Sequence, residues 1–226
     1  CKMALKDVTA LLLIHFETHG EIAMNKELDD MRFSKLKELV FEHPIKDMII
    51  ISEKLNPHIN PRLTQLKKQI TSDYNPRLLK HPRKKLANRY VWIELPEDGL
   101  TPTQDFIDWI KFEAGNVYGC NIVNILATGQ NLAGCVWNSL DYSALSWAKR
   151  GHLVQIILSM CGDYEVSGTG IEKYMKSFAQ LYQKIRFSGN IQNIGIVADI
   201  DNIRYMNDGK RIRGKQDLKR YFDEWI

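Results

Sequence analysis

The sequence predicts an α/β fold, with a largely parallel sheet of about five strands and helices on both faces. Residues 8–16 form an apolar, leucine-rich run of strand length, and residues 46–52 form a second one. Between the two runs, apolar side chains recur at helical spacing: Phe33, Leu36, Leu39 and Val40. Ser34 is the expected cap of that helix. A strand, a helix and a second strand in this order favour parallel pairing through a right-handed crossover.

The other elements are predicted from the same patterns. Alternating or apolar runs predict three further strands, at residues 89–95, 152–159 and 194–200. Amphipathic spacing predicts helices at residues 61–72, 103–114, 171–185 and 216–226. Residues 121–127 and 143–149 are apolar, and we expect them to be helical or buried. The Asn207-Asp208-Gly209 turn predicts a hairpin.

Length and composition favour one globular α/β domain over residues 1–226. The chain is 44% hydrophobic and 26% charged, which is ordinary for a folded domain with a sizeable core. Residues 56–88 contain four prolines and many basic side chains. We interpret this segment as an excursion within the domain, between the second and third strands, rather than as a linker.

The apolar runs are too short to cross a membrane. Leu11–Ile14 and Met48–Ile51 are among the longest, and a spanning helix needs roughly 20 apolar residues. We therefore expect no membrane partner. The chain begins with Cys1 rather than Met, which is typical of a fragment or of a processed start.

The cysteines predict a reducing compartment. Four of them, Cys1, Cys120, Cys135 and Cys161, lie far apart without a Cys-x-x-Cys pair. This spacing disfavours both a zinc site and a small disulfide scaffold. The expectation is a cytoplasmic protein without a metal or another cofactor.

Two predicted strands lead to residues that could carry out nucleophilic catalysis. His19 follows the first strand, Cys161 follows the strand at 152–159, and each precedes a glycine. A cysteine nucleophile needs a nearby base, and both groups have to project from one sheet edge. If the two strands are parallel neighbours, His19 is the base, Cys161 the nucleophile and the Gly162 N–H an oxyanion donor. The alternative is a turn histidine and a small buried cysteine.

These residues resemble a known family. The run Ile14-His15-Phe16-Glu17-Thr18-His19-Gly20 resembles the His-Gly element of caspase-like cysteine peptidases. The run Ile156-Ile157-Leu158-Ser159-Met160-Cys161-Gly162 is similar to the strand that ends in their nucleophile. The resemblance implies a cysteine hydrolase that acts on a protein or peptide substrate, with His19 as the base and Cys161 as the nucleophile.

The spacing of the two elements departs from that family. In caspases the cysteine follows the histidine by about 50 residues, and here a strand followed by Ser52 and Glu53 stands near that place. Either a long insertion has displaced the cysteine strand to residue 161, or the domain is a relative without a nucleophile.

Nucleic-acid binding is the prediction of a second class. Residues 62–90 and 204–220 are rich in Lys and Arg, which neutralise phosphates, and contain aromatic side chains, which stack on bases. The residues expected to make these contacts are Arg77, Lys80, Arg83, Lys84, Lys85, Arg89, Lys210, Arg211, Arg213 and Lys215. The alternative is a pair of solvated surfaces, since Lys and Arg are mostly exposed in any protein.

The sequence is compatible with two further functions. Asp199 and Asp201 share one face of a predicted strand and could hold a divalent ion, but two carboxylates are too few ligands to define a site. We therefore predict no metal site. A protein interaction module without catalytic activity is the third class of function.

The basic segments make a measurable prediction. If they contact phosphates, the protein is retained on heparin, and its affinity for oligonucleotides falls steeply as the salt concentration rises. Titration of a labelled oligonucleotide at several salt concentrations measures the slope. An affinity that does not change with salt would exclude the phosphate contacts.

Overall fold

Six parallel strands form one sheet in the described part of the chain. The computed structural model describes residues 5–17, 26–42, 48–72, 90–96, 105–138, 140–162, 183, 193–197 and 199–203. The strands are β1 (Lys6–Ile14), β2 (Met48–Ser52), β3 (Tyr90–Glu94), β4 (Cys120–Gly129), β5 (Leu153–Ile157) and β6 (Ile194–Val197). They lie in the order β3-β2-β1-β4-β5-β6, and every neighbouring pair is parallel. The predicted parallel α/β sheet is confirmed, with one strand more than expected.

Helices cover both faces of this sheet, as predicted. They are α1 (Lys26–Phe41), α2 (Pro61–Ser72), α3 (Phe106–Asn116) and α4 (Ala144–Lys149). Leu36 of α1 and residues of α2 belong to the same apolar cluster as Leu11 of β1. Ile110 of α3 and residues of α4 cluster with Leu12 on the opposite face. Within the described ranges, no helix has the length and apolar character needed to cross a bilayer.

The central strand explains the most apolar run in the sequence. β1 pairs with β2 on one side and with β4 on the other, and its residues from Val8 to Ile14 are all buried. A parallel strand covered on both faces needs apolar side chains at every position rather than at alternate ones. The first run in the sequence therefore marks the middle of the sheet.

The sequence patterns missed β4 and misplaced one helix start. Residues 121–127 were expected to be helical or buried, and they belong to the strand Cys120–Gly129. A short run that is apolar on both faces does not distinguish a strand from a buried helix by its periodicity. Ser34 lies inside α1 rather than at its N-cap, because the helix begins at Lys26. The strand predicted at 152–159 ends at Ile157.

Several predicted elements can be compared directly with the structure. The helices predicted at 61–72 and 103–114 correspond to α2 and α3, and residues 144–149 form α4. The helices at 171–185 and 216–226 and the turn at 207–209 lie outside the described residues, apart from residue 183, which is helical.

The strand order changes direction between β1 and β4. The strands β1, β2 and β3 extend the sheet to one side, and β4, β5 and β6 extend it to the other. In open α/β sheets of this kind, ligands bind outside the carboxyl ends of the strands where the order reverses. We call the carboxyl ends of β1 and β4 the switch point.

Strands β1 and β4 come unusually close together at the switch point. Gly129 has a φ of 146°, and a Cβ at this position would lie 1.7 Å from the carbonyl oxygen of Ile14. The next residue, Gln130, donates its backbone N–H to that same oxygen at 2.9 Å. Only glycine fits at position 129, because the Ile14 backbone occupies the space of a side chain.

A buried arginine ties helix α1 to the same sheet edge. Arg32 is 0% exposed, and its guanidinium donates to the carbonyl oxygens of Met160 and Phe16 at 3.1 and 3.2 Å. The guanidinium also lies 4.5 Å from the centre of the Phe16 ring and pairs with Asp29 at 3.4 Å. A buried cation is stable only when its donors are satisfied, so these contacts fix α1 against the segments that follow β1 and β5.

Two glycine substitutions test the close contact. Gly129→Ala should lower the free energy of unfolding by about 2 kcal/mol or more, since the new methyl group collides with backbone that cannot move aside. Gly195→Ala in β6 is the matched control, because a Cβ there meets nothing within 4 Å. Its effect should stay within about 1 kcal/mol. Denaturant unfolding measures both, and equal effects would contradict the steric explanation.

Candidate active site

Two strained residues lie at the switch point. In the described part of the chain, the non-glycine residues with positive φ are His15, at 46°, and Asn131, at 56°. His15 directly follows β1, and Asn131 lies two residues after β4. Such backbone costs about 1–3 kcal/mol, persists only where surrounding contacts enforce it, and concentrates at functional sites. The strain therefore directs attention to the side chains at this edge.

His15 is held against a carboxylate from the neighbouring strand. Its backbone N–H donates to both carboxylate oxygens of Glu53, at 3.1 and 3.2 Å. Its Nδ1 lies 3.5 Å from Glu53 Oε1, and the His15 side chain is 36% exposed. Glu53 directly follows β2, which pairs with β1. The imidazole is thus fixed on one side and open to solvent on another.

A tyrosine from the other half of the sheet contacts the same carboxylate. Tyr142 is buried, precedes α4, and donates its hydroxyl to Glu53 Oε1 at 2.9 Å. Its ring packs edge-on against Phe106, which begins α3, at a centroid distance of 5.7 Å. The Tyr142 hydroxyl and the His15 backbone thus hold the Glu53 carboxylate from two sides.

The segment after β4 brings a thiol to the site. Residues 132–136 form a short π-helical turn, in which the Val136 N–H donates to the Asn131 carbonyl at 3.2 Å. The side-chain amide of Asn131 lies 3.8 Å from Cys135 Sγ. Gly134 leaves room for that amide, since a Cβ there would lie 2.5 Å from Asn131 Oδ1. π-Helical turns are rare and frequently occur at functional sites.

The surroundings of Cys135 favour its neutral form. Burial raises the pKa of the Cys135 thiol above its usual value, and the negative charge of Glu53 raises it further. The hydrogen bond from Asn131 lowers the pKa and is the largest influence after burial, ahead of the Glu53 charge, but the pKa of the thiol stays above its usual value. The effect of Glu53 means that carboxylate and thiol belong to one electrostatic environment. We call His15, Glu53, Asn131, Cys135 and Tyr142 the switch-point site.

The switch-point site has the components of nucleophilic catalysis. Cysteine chemistry needs a thiol, a base that can take its proton and a group that orients the base. Here these are a partly buried Cys135, a partly exposed His15 and the Glu53 carboxylate. All three are supplied by segments that follow the neighbouring strands β2, β1 and β4.

The structure places Cys161 in the core. Its side chain is 1% exposed, burial raises the pKa of its thiol to about 11, and it donates to Thr128 Oγ1 at 3.8 Å. The condition for that pairing, that the first strand and the strand before Cys161 are neighbours, is not met, because β4 lies between β1 and β5. His19 lies outside the described residues, so its pairing with Cys161 stays a prediction.

Gly162 has a structural contact where an oxyanion donor was expected. Its N–H donates to the Gly129 carbonyl at 2.8 Å, and its own carbonyl accepts from the Leu132 N–H at 3.1 Å. The backbone donor is therefore engaged, and it fastens the segment after β5 to the end of β4.

The residues expected to bind nucleic acid lie outside the described residues: Arg77, Lys80, Arg83, Lys84, Lys85, Arg89, Lys210, Arg211, Arg213 and Lys215. Three basic residues of the same segment are described, Arg62, Lys67 and Lys68, and the first two form ion pairs. Arg62 contacts Asp30 at 3.0 Å, and Lys67 contacts Glu94 at 2.8 Å. Nucleic-acid binding stays a prediction.

Of the two aspartates considered for a metal ion, Asp199 has other partners. Asp199 accepts from Ser159 Oγ at 2.8 Å and pairs with Lys35 at 3.0 Å, while Asp201 is exposed. Burial raises the pKa of Asp199, and these contacts lower it by more, so that it stays below its usual value. Among the described residues, no three His, Cys, Asp or Glu side chains form a metal-binding group.

The sequence patterns did not single out the switch-point site. For Glu53 the sequence did contain an indication of a site residue, because Glu53 directly follows the strand predicted at residues 46–52. His15 follows β1 in the same way. The first strand was expected to extend to residue 16, which directed attention to His19 instead of His15. Cys135 gave no signal, because the strand before it was not recognised.

Comparison with known proteins gives similar solved structures only. No family model matches the chain, and no curated protein matches it. Its structure is similar to MAR1 ribonuclease from Caenorhabditis elegans, with 14% identity over 78% of this chain and 73% of that one and a TM-score of 0.42. It is also similar to the nicotinamidase SaPncA from Staphylococcus aureus, with 11% identity over 82% and 94% of the chains and a TM-score of 0.43. It is similar as well to the nicotinamidase PncA from Bacillus subtilis, with 13% identity over 85% of this chain and 100% of that one and a TM-score of 0.43.

The electrostatic link between Glu53 and Cys135 can be measured. Glu53→Gln removes the negative charge that raises the pKa of Cys135, so the midpoint of its alkylation by iodoacetamide should move to lower pH. Glu113→Gln on α3 is the control, since Glu113 is not among the groups that shift this thiol. Mass spectrometry of Cys135 labelling against pH gives both midpoints. A midpoint that stays in place or rises in Glu53→Gln would show that the charge does not act on the thiol.

Proposed function

We propose that the protein is a cysteine hydrolase of acyl substrates, with Cys135 as the nucleophile, His15 as the general base and Glu53 as the residue that positions His15. The contact between His15 and Glu53 at the switch point carries this proposal, since it orients an imidazole where ligands bind in this class of sheet. The influence of the Glu53 charge on Cys135 supports the presence of all three groups in one site.

The proposed reaction has two steps. In the first step, a ring nitrogen of His15 takes the Cys135 proton, Sγ bonds to the acyl carbon, and the leaving group departs with that proton. In the second step, His15 takes a proton from water, the water oxygen attacks the thioester, and Cys135 regains its proton as the acid is released. The Glu53 carboxylate orients His15 and stabilises the imidazolium that forms in each step.

The resting state of the thiol determines when the base acts. Burial and the Glu53 charge keep Cys135 protonated in the free protein. The proton is therefore removed only when a substrate occupies the site, as general base catalysis by a positioned histidine allows. This differs from a cysteine that is already a thiolate before substrate binds.

The proposal keeps the class of enzyme predicted from the sequence and changes the residues that carry out the reaction. A cysteine hydrolase was predicted, with His19 and Cys161, and the proposal assigns the chemistry to His15 and Cys135 instead. The caspase-like relationship and the peptide substrate stay predictions. The relative without catalytic activity is the outcome expected if Cys135 forms no acyl intermediate.

Acyl transfer can be tested with an activated ester. Incubation with p-nitrophenyl acetate should place one acetyl group on Cys135, measured by intact mass and peptide mapping, and should release p-nitrophenolate. Cys135→Ala should abolish the acetylation, whereas Cys161→Ser should leave it unchanged. Acetylation of Cys161, or of no cysteine, would overturn the assignment.

His15→Asn tests the base while preserving the backbone. Asparagine tolerates the positive φ of this position better than most residues, so the variant removes the imidazole without adding strain. The rate of Cys135 acetylation should fall by about 10²–10⁴-fold, the usual contribution of a general base. His152→Asn is the control, since His152 packs on Trp147 away from this site. An unchanged rate in His15→Asn would exclude His15 as the base.

A further inference from the structure

In the described part of the chain, one buried polar atom at the switch point has no hydrogen-bond partner. Gln130 is 1% exposed, and its side-chain carbonyl oxygen Oε1 has no hydrogen-bond donor among the described residues. Buried polar atoms are almost always paired, and a buried acceptor without a donor destabilises the folded protein. This unmatched acceptor is therefore unusual in a native structure.

The position of Gln130 connects it to the switch-point site. Its backbone N–H donates to the carbonyl of Ile14, the residue before His15. The residue after it is Asn131, whose side chain contacts Cys135. Gln130 thus lies between the segment that carries the base and the segment that carries the thiol.

We propose that Gln130 determines substrate specificity by accepting a hydrogen bond from an N–H donor next to the reacting acyl carbon, as in an amide. This inference rests on the proposed function, because it assigns the substrate class of that site. A buried acceptor that a ligand satisfies rejects analogues without the donor, since they leave the acceptor unpaired. An ester of similar size is such an analogue.

A pair of alkylating probes tests this preference without requiring turnover. Iodoacetamide carries an N–H donor, and methyl iodoacetate is a similar molecule that lacks one. Both alkylate the thiolate of Cys135 with loss of iodide, so the fraction of thiolate cancels in the ratio of the two rates. The same ratio measured with free N-acetylcysteine gives the intrinsic difference between the probes.

The expected result is a preference that depends on Gln130. In the wild-type protein, the rate of alkylation by iodoacetamide divided by the rate of alkylation by methyl iodoacetate should be about five times the same quotient for the free thiol. One hydrogen bond provides a difference of this size. Gln130→Met removes the amide carbonyl and keeps a similar length, and its ratio should return to that of the free thiol. Gln130→Glu keeps an acceptor oxygen and should retain the preference.

Each outcome decides the inference. A wild-type ratio equal to that of the free thiol would overturn it, as expected if a buried water satisfies Oε1. An elevated ratio that persists in Gln130→Met would also overturn it. The wild-type comparison remains decisive if a variant does not fold. If the ratio depends on Gln130 but Cys135 is not acetylated by p-nitrophenyl acetate, the proposed hydrolysis fails while this inference stands.

Discussion

The pairing of β1 with β4 is the constraint on which the rest of the structure depends. The two strands pair from Lys6 with Cys120 to Ile14 with Gly129, with one shift of register between Val8 and Thr9, and the other strands of the sheet lie on either side of this pair. At the end of this pair Gly129 lies so close to the Ile14 carbonyl that no side chain fits there, and the pairing of the two strands ends. His15 and, soon after, Asn131 adopt left-handed backbone there. The divergence creates the place where side chains from both halves of the sheet can meet.

The switch-point site is assembled from these two halves. Glu53 comes from the end of β2 on one side, while Cys135 and Tyr142 come from the segments after β4 on the other. Glu53 accepts from the His15 backbone and from the Tyr142 hydroxyl, so one carboxylate joins both halves. A carboxylate held in this way is suited to orienting an imidazole, because its own position is fixed before any ligand arrives.

The two cysteines near the carboxyl edge show how burial alone separates a core thiol from a candidate nucleophile. Cys161 is fully enclosed, and its pKa of about 11 keeps it protonated near neutral pH. Cys135 is only partly buried and lies on a π-helical turn beside Asn131. Both thiols are neutral at rest, but only Cys135 shares its surroundings with a carboxylate that holds a histidine.

The sequence by itself determined the class of fold, since apolar runs such as Val8–Ile14 have no stable place other than a sheet covered on both faces. It also predicted a histidine after the first strand, at His19, which lies outside the described residues. Only the tertiary structure decided which side chains meet after the first strand, where Glu53 contacts both His15 and Tyr142. That choice depends on β4 entering between β1 and β5, a long-range pairing that no local pattern encodes. Strand order results from how the two apolar faces of the whole sheet are covered, and a linear sequence shows those faces only one segment at a time.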